Sequence, residues 1–418
     1  MPNEQEQNAG EGGTPPPIRP LPPELTALIA AGEVVERPAS VVKELLENAL
    51  DAGAKAISVT VRDGGLSLIR VSDDGHGMPR ADAPLAPQSF TTAKIRTPSD
   101  LHAIRTYGFR GEALSSIAAV ARLEILTRAA GELEGTRVTA HGGEIAVAPA
   151  ASPVGTSVTV SELFAAHPAR RKFLKSPLRE LELVQQTVIR YALAHPGVAF
   201  RLVADDRPRL TLPPGSALER LGAVFGRDVA AEMTPVAWEA LDLRVRGYVS
   251  PPSLSRSRRD RQSFFVNRRP VRAGLLAVML ERPYAGRLPP GRYPLAVLHI
   301  EVEPAFVDVN VHPQKAEVRF SAERRIYTAV SQAVGEALAG FPASVDVAGA
   351  AGLVWPFEGV EQPFSLHEQP LPLTTPLRPL AQIHHTYLLA EWEGGVLVID
   401  QHAAHEQVLY ERLTAAPA

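Results

Sequence analysis

The run from Ser40 to Asp51 constrains this chain more than any other, because its residues alternate in character at helical spacing. Val41, Val42, Leu45, Leu46, Ala49 and Leu50 form one apolar stripe, and Glu44, Glu47, Asn48 and Asp51 lie on the opposite side. Pro38 near the start and Gly53 just past the end bound the helix. Its stripe must be buried against something, and the following residues offer strands. Ile57, Val59 and Val61 alternate, Asp63-Gly64-Gly65 turns the chain, and Leu66 to Ser72 returns. Helical and strand patterns interleave in this way to about residue 212, which predicts a mixed α+β or α/β domain.

At 418 residues the chain exceeds one compact core, so several domains are expected. Residues 1–22 read as a polar, disordered tail and 23–212 as the first domain. A second unit spans 216–340 and contains alternating runs such as Leu298–Val302 and Val307–Val311. Residues 341–379 hold seven prolines and little periodicity, as an extended linker would. From 380 to 418 a hairpin-like pair, His385–Trp392 and Val396–Asp400, leads into a helical stretch, His402–Leu413. Too short to bury a core, this last piece is expected to be the incomplete start of a C-terminal domain. The absence of cysteine excludes disulfides, thiol nucleophiles and thiolate-bound metals, and fits a reducing cytoplasm. No apolar run is long enough to span a bilayer and no signal-peptide core is present, so no membrane partner is expected. With a net charge of −3, contact with nucleic acid would need a local basic patch.

Three segments carry candidate chemistry. Glu44 and Asn48 are four residues apart and project from one helix face. A carboxylate there could orient or deprotonate a water while an amide oxygen helps hold Mg²⁺; an isolated helix would more often show a merely solvated polar face. Period two puts Asp73 on the apolar side with Ile69 and Val71, where a carboxylate needs a donor. An adenine amino group would serve, and so would a local turn; Gly75 and Gly77 suit either a flat ring held close or a plain turn. Tyr107-Gly108-Phe109-Arg110-Gly111-Glu112 precedes a helical run, Ala113–Val120, whose free amides could hold phosphate or could simply be capped.

Together these segments resemble the ATPase domain of the MutL mismatch repair family, within the gyrase, Hsp90, histidine kinase and MutL superfamily. The likeness spans residues 24–175 and rests on Ile29-Ala30-Ala31-Gly32-Glu33-Val34-Val35-Glu36-Arg37-Pro38, on Lys43-Glu44-Leu45-Leu46-Glu47-Asn48-Ala49-Leu50-Asp51-Ala52-Gly53, on Asp73-Asp74-Gly75-His76-Gly77, on Gly108-Phe109-Arg110-Gly111-Glu112-Ala113-Leu114 and on Gly155-Thr156. It continues through Pro168-Ala169-Arg170-Arg171-Lys172-Phe173-Leu174 into the second unit. The resemblance implies a two-layer α/β sandwich of Bergerat type, then a second α/β domain of the ribosomal protein S5 domain 2-like type. It implies ATP and Mg as cofactors, ATP-dependent homodimerisation through the N-terminal domains, and DNA and a MutS-like mismatch recognition protein as partners. Glu44 becomes the general base, Asn48 the Mg²⁺ ligand and Asp73 the adenine contact, with Gly75, Gly77 and Thr156 shaping the base pocket. Thr92, Lys94 and the loop through Gly108, Phe109, Arg110 and Gly111 become the lid over the phosphates, and Lys315 the second-domain lysine that reaches the γ-phosphate. Four positions depart from the family pattern: Asp74 for Asn, Phe90 for His, Ala93 for Ser, and Ala165-Ala166-His167 for aromatic-Asn-Thr.

Between Pro251 and Arg272 stand seven arginines and a single acid, Asp260. With few aromatics among them, phosphate contact is the better functional reading and a solvated loop the plainer one. Arg269 is the favoured DNA contact, with Arg268, Arg170 and Arg171 beside it. Finally, Asp400-Gln401-His402-Ala403-Ala404-His405-Glu406 resembles the endonuclease motif of many mismatch repair homologues, with Asp400, His402 and Glu406 as candidate metal ligands. That site lacks the further C-terminal ligands of the family, so no competent nuclease is expected in this chain. Neither a cleavage-tyrosine domain nor a phospho-accepting histidine helix is recognisable, which argues against a topoisomerase subunit or a sensor kinase.

Overall fold

The computed structural model describes residues 31–32, 34–95, 97, 106–108, 111–240, 242–303, 307–308, 319–320, 323–341, 378–383, 387–392 and 395–400. The chain divides into two compact units, 1–348 and 349–418. The first is built on two sheets. Its larger sheet has eight strands in the order β5-β4-β3-β6-β2-β1-β7-β8. They are β1 (Ala56–Arg62), β2 (Leu68–Asp73), β3 (Arg122–Arg128), β4 (Gly135–His141), β5 (Glu144–Ala150), β6 (Gly155–Ser161), β7 (Ala199–Ala204) and β8 (Arg207–Leu212). Neighbours are antiparallel except β1 and β7, which run parallel, so the sheet is mixed.

The period-two pattern explains the layering. Val59, Val61, Ile69, Leu123, Ile125 and Leu202 are all fully buried on one face. Against that face pack the helices Pro38–Asp51 and Pro177–Ala194. The first delivers Val41, Val42, Leu45 and Leu46 to the core, as its stripe requires, while Leu50 is only partly buried at the edge. Prolines at the starts of both helices fit the first turn, where a missing amide costs nothing. The return strand begins at Leu68, not Leu66, because Leu66 and Ser67 continue the turn that follows the short 3-10 helix Asp63–Gly65.

The second sheet has five strands, β13-β12-β15-β10-β9. These are β9 (Thr234–Ala240), β10 (Leu243–Val249), β12 (Gln262–Val266), β13 (Arg269–Val271) and β15 (Ala296–Val302), with a small pair, β11 (Ser255–Arg256) and β14 (Tyr293–Pro294), beside them. Helices Gly274–Glu281 and Glu323–Ala337 cover it, burying Leu276, Leu280, Ile326, Val330 and Val334 against Phe264, Leu298 and Ile300. A third cluster, Leu193, Ala194, Leu221, Ala230, Phe265 and Val297, joins the two halves. Arg220 is buried beside it with three carbonyls, those of Pro196, Val198 and Pro213, on one guanidinium nitrogen. The chain is thus α+β: a helix-backed eight-stranded sandwich followed by a second α/β domain.

The second unit contains a three-stranded antiparallel sheet of strands Arg378–Ile383, Tyr387–Trp392 and Gly395–Asp400. The expected hairpin is there, with Asp400 at the end of its second strand. His402 and Glu406 lie outside the described residues, as do Lys315, Phe109 and Arg110.

Candidate nucleotide site

The polar face of the Pro38–Asp51 helix does not meet open solvent. Glu44, Asn48 and Asp51 face a cavity of about 870 Å³, whose far walls are Asp73, Gly77, Thr156, Thr92, Lys94, Gly108 and Gly111. Residues that are up to 124 positions apart in the chain, Val34 and Val158, therefore share one pocket, apolar at its floor through Val71, Met78 and Val158. Glu47 is the exception. It is 3% exposed and turned away from the cavity, toward the helix Pro177–Ala194, where Tyr191 donates to its carboxylate. Glu47, which spacing sets on the polar side, thus lies on a second buried side of the helix.

One wall is built by β2. Strand pairing sets Asp73 opposite Ile57 and Thr156, on the side of Ile69 and Val71. Its Oδ1 accepts the Gly75 amide at 2.8 Å. Burial pushes its carboxyl up to about 6, against the pull of the Gly75 and Thr156 amides. An acid that is costly to ionise here is well matched to a ligand donor, such as an exocyclic amine, that would favour its charged form. Gly77 sits at φ +68°, and a Cβ there would collide with the Arg128 carbonyl, so only glycine lets the chain turn under the pocket. Thr156 shares a 3.0 Å hydroxyl contact with buried Thr127, which also receives the Met78 amide at 2.9 Å. Thr127 is a site residue that motif reading did not single out.

The opposite wall carries Thr92, Lys94, Gly108 and Gly111, the residues expected to cover the phosphates. Asp51 holds it, with Oδ1 accepting the Tyr107 amide at 2.8 Å and Oδ2 accepting the Gly108 amide at 3.0 Å. Lys94 Nζ lies 2.6 Å from Asp51 Oδ2 and 3.1 Å from Asn48 Oδ1. An ammonium seated on both oxygens shows that this corner takes a cation, which fits the donor set required for Mg²⁺. The Thr92 hydroxyl accepts the Lys94 amide at 3.1 Å and fixes the turn. Asp51 had stood in the sequence as one polar position among four; its role as lid anchor depends on partners 56 and 57 residues away.

The departures from the family pattern leave Glu44, Asn48 and Asp73 in place, and two of them, Phe90 and Ala93, line the cavity. Asp74 Oδ1 accepts the amides of Lys55 and Ala56 at 2.7 and 2.8 Å, a task for any acceptor oxygen, asparagine included. Phe90 (77% exposed, φ +60°) and Ala93 stand at the cavity margin.

The basic residues do not act alike. Arg269 is only 8% exposed, its guanidinium donates to the Thr106 carbonyl and it lies over the Tyr107 ring at 5.4 Å. It braces the Thr106–Gly108 segment, so any phosphate contact by Arg269 would share its guanidinium with the Thr106 carbonyl. Arg268 and Arg171 are exposed; Arg170 is partly buried, stacked over Phe164 at 6.0 Å and pressed against Gly32. Arg259 forms a two-pronged pair with Glu281 at 2.7 Å. Among the described residues no helix is long and apolar enough to cross a membrane.

Residues 36–151 match the family described as histidine kinase-, DNA gyrase B- and HSP90-like ATPase, residues 221–339 the DNA mismatch repair protein C-terminal domain, and residues 380–418 the MutL C-terminal dimerisation domain. The DNA mismatch repair protein MutL of Desulforudis audaxviator is 46% identical over 412 residues, covering 94% of this chain and 73% of its own length. That of Symbiobacterium thermophilum is 42% identical, covering 93% and 74%. Among solved structures, the N-terminal domain of a DNA repair protein superposes with a TM-score of 0.64 at 26% identity, over 74% of this chain and 97% of that one. The ATPase domain of the Aquifex aeolicus mismatch repair endonuclease MutL does so with 0.52 at 28%, over 72% and 100%. An ATPase-type pocket, a second α/β domain and this extent of identity settle the kinship: the chain belongs to the MutL family of DNA mismatch repair proteins.

Proposed function

We propose that this chain binds Mg·ATP in the cavity beside Glu44 and hydrolyses it as the timing step of DNA mismatch repair. The observation that carries the reading is the convergence of Glu44, Asn48, Asp73 and Lys94 on one pocket. Asp73 takes the adenine amine, with Gly75, Gly77 and Thr156 fitting the ring. Asn48 would hold the magnesium ion, which supplies charge neutralisation on the phosphates. Glu44 orients a water for in-line attack at the γ-phosphorus and accepts its proton as the bond to the β-γ bridging oxygen breaks and ADP leaves. Thr92, Lys94 and Gly108 to Gly111, Phe109 and Arg110 included, close over the triphosphate, and Lys315 contributes a cation from the second domain.

The N-terminal domains pair in the ATP-bound state, and DNA contacts run along Arg268, Arg171 and Arg170 without reading sequence. A MutS-like protein delivers the mismatch signal, in the cytoplasm. The decisive test is Glu44→Ala. ATP binding should persist while turnover falls by about 100-fold or more, the share of a general base. Undiminished hydrolysis refutes the assignment.

A further inference from the structure

The base itself is gripped by its chain neighbour. Lys43 Nζ lies 2.7 Å from Glu44 Oε1 and 3.1 Å from Glu47 Oε1, so one ammonium spans two carboxylates on adjoining helix faces. Glu47 is buried and receives the Tyr191 hydroxyl from the neighbouring helix, which fixes the far end of the grip. Burial alone would make Lys43 easier to deprotonate, but Glu44 and Glu47 outweigh it and keep the ammonium charged well above the ordinary lysine range. Lys43 also stands at a boundary. Glu44 lines the nucleotide cavity, whereas Lys43, Glu47 and Tyr191 line a separate cavity of about 300 Å³ closed by Arg269, Pro270 and Arg272 of the second domain.

Resting on the reading of Glu44 as the water-activating base, we propose that Lys43 is its positioning residue, a fixed cation that holds the Glu44 carboxylate in place and is itself held by Glu47 and Tyr191. A solvent-exposed pair at this spacing would contribute little, since both side chains would wander. Here the second carboxylate and the tyrosine hydroxyl remove that freedom, and misplacing a catalytic group by about 1 Å can cost about 100-fold in rate. The grip acts on the chemical step and not on nucleotide affinity, because Lys43 itself does not face the nucleotide cavity.

The test compares the full chain with Lys43→Met, Lys43→Arg and Glu44→Ala, measuring turnover across pH 5–9 and affinity for a non-hydrolysable ATP analogue. Lys43→Met should lower kcat by about 10- to 100-fold while the analogue Kd stays within about twofold. The acid limb of its kcat profile should move up by about one pH unit, since a carboxylate loses its nearest cation. Lys43→Arg should recover most of the rate and the parental limb. In a Glu44→Ala background Lys43→Met should add no further loss. A Lys43→Met protein with parental kcat and pH profile, beside an inactive Glu44→Ala, overturns the proposal alone. So does a Lys43→Met loss that appears in analogue binding and is not recovered by arginine. Parental turnover in Glu44→Ala overturns the base assignment itself.

Discussion

Two half-buried histidines should make the junction of the two α/β domains sensitive to acid. His195 ends the helix Pro177–Ala194, and His299 lies in β15 stacked on Phe265 with ring centroids 4.8 Å apart. Both are held down to about 4 from 6.5, first by burial and then by the nearby Arg268 cation, with His299 adding to the effect on His195. Tyr107 Oη lies 2.6 Å from His195 Nε2 and 2.7 Å from the Arg268 carbonyl. The hydroxyl has one proton, and the carbonyl can only accept it, so His195 must donate from Nε2 and is the neutral Nε2–H tautomer. Because both native values lie below the unfolded one, the unfolded chain takes up protons first as pH falls. Stability is whole above about pH 6.5 and drains toward pH 4. By linkage each histidine forfeits about 2 kcal/mol between pH 7.5 and 5, or about 4 kcal/mol for the pair. Urea unfolding of the parent and of a His195→Gln/His299→Gln protein at both pH values measures the difference. The parent's midpoint should drop by about 1 M more than the variant's. Asp73, whose raised value works in the opposite direction, is present in both proteins and cancels. Equal midpoint shifts in the two proteins would refute the argument.

Three further perturbations have defined outcomes. Gly77→Ala places a Cβ on the Arg128 carbonyl at a left-handed φ, so nucleotide affinity should fall and stability drop by about 2 kcal/mol, read by calorimetry with and without ADP. Arg220→Met takes the buried guanidinium from three carbonyls and should cost about 2–4 kcal/mol in urea unfolding, with kcat per folded molecule unchanged. Arg269→Met should alter ATP affinity in the absence of DNA, because the side chain braces Thr106 in the lid; a variant changed only in DNA binding would restore the free phosphate-contact reading.

Much of the fold was legible because periodicity reports burial directly. The stripe of the first helix, the alternation of β1 and the Ala113–Val120 helix all stand where spacing put them. Asp73 was legible for the same reason, since period two places it beside Ile69 and Val71. Glu47 was not, because its helix is wedged between the sheet and a second helix and so buries two faces. A pattern read along one chain segment shows the second face only as polar. The bond from Arg269 to Thr106 was not legible because a run of arginines looks uniform in sequence, whereas that partner stands 163 residues away. Asp51 was passed over for the same reason.

That oversight bears on how the pocket works. Asp51 is 5% exposed at its side chain and accepts two backbone amides and one ammonium, so nearly all its lone pairs are spent on the lid. A buried carboxylate stripped of such donors costs more than the bonds it loses, because it remains charged away from water. The Thr106–Gly108 segment therefore cannot swing out without a replacement cation at Asp51. Lys94 is the group now in that position, and Asn48 shares it. Any ligand that draws Lys94 toward phosphate must supply positive charge in return at the Asn48–Asp51 corner, and a phosphate-bound divalent ion does both. On this account a dependence on a divalent metal, as proposed for Asn48, would follow from the Asp51 contacts as much as from the chemistry of the phosphoryl group. It also ties lid position to the second domain, since the Tyr107 whose amide Asp51 holds sends its hydroxyl to the Arg268 carbonyl.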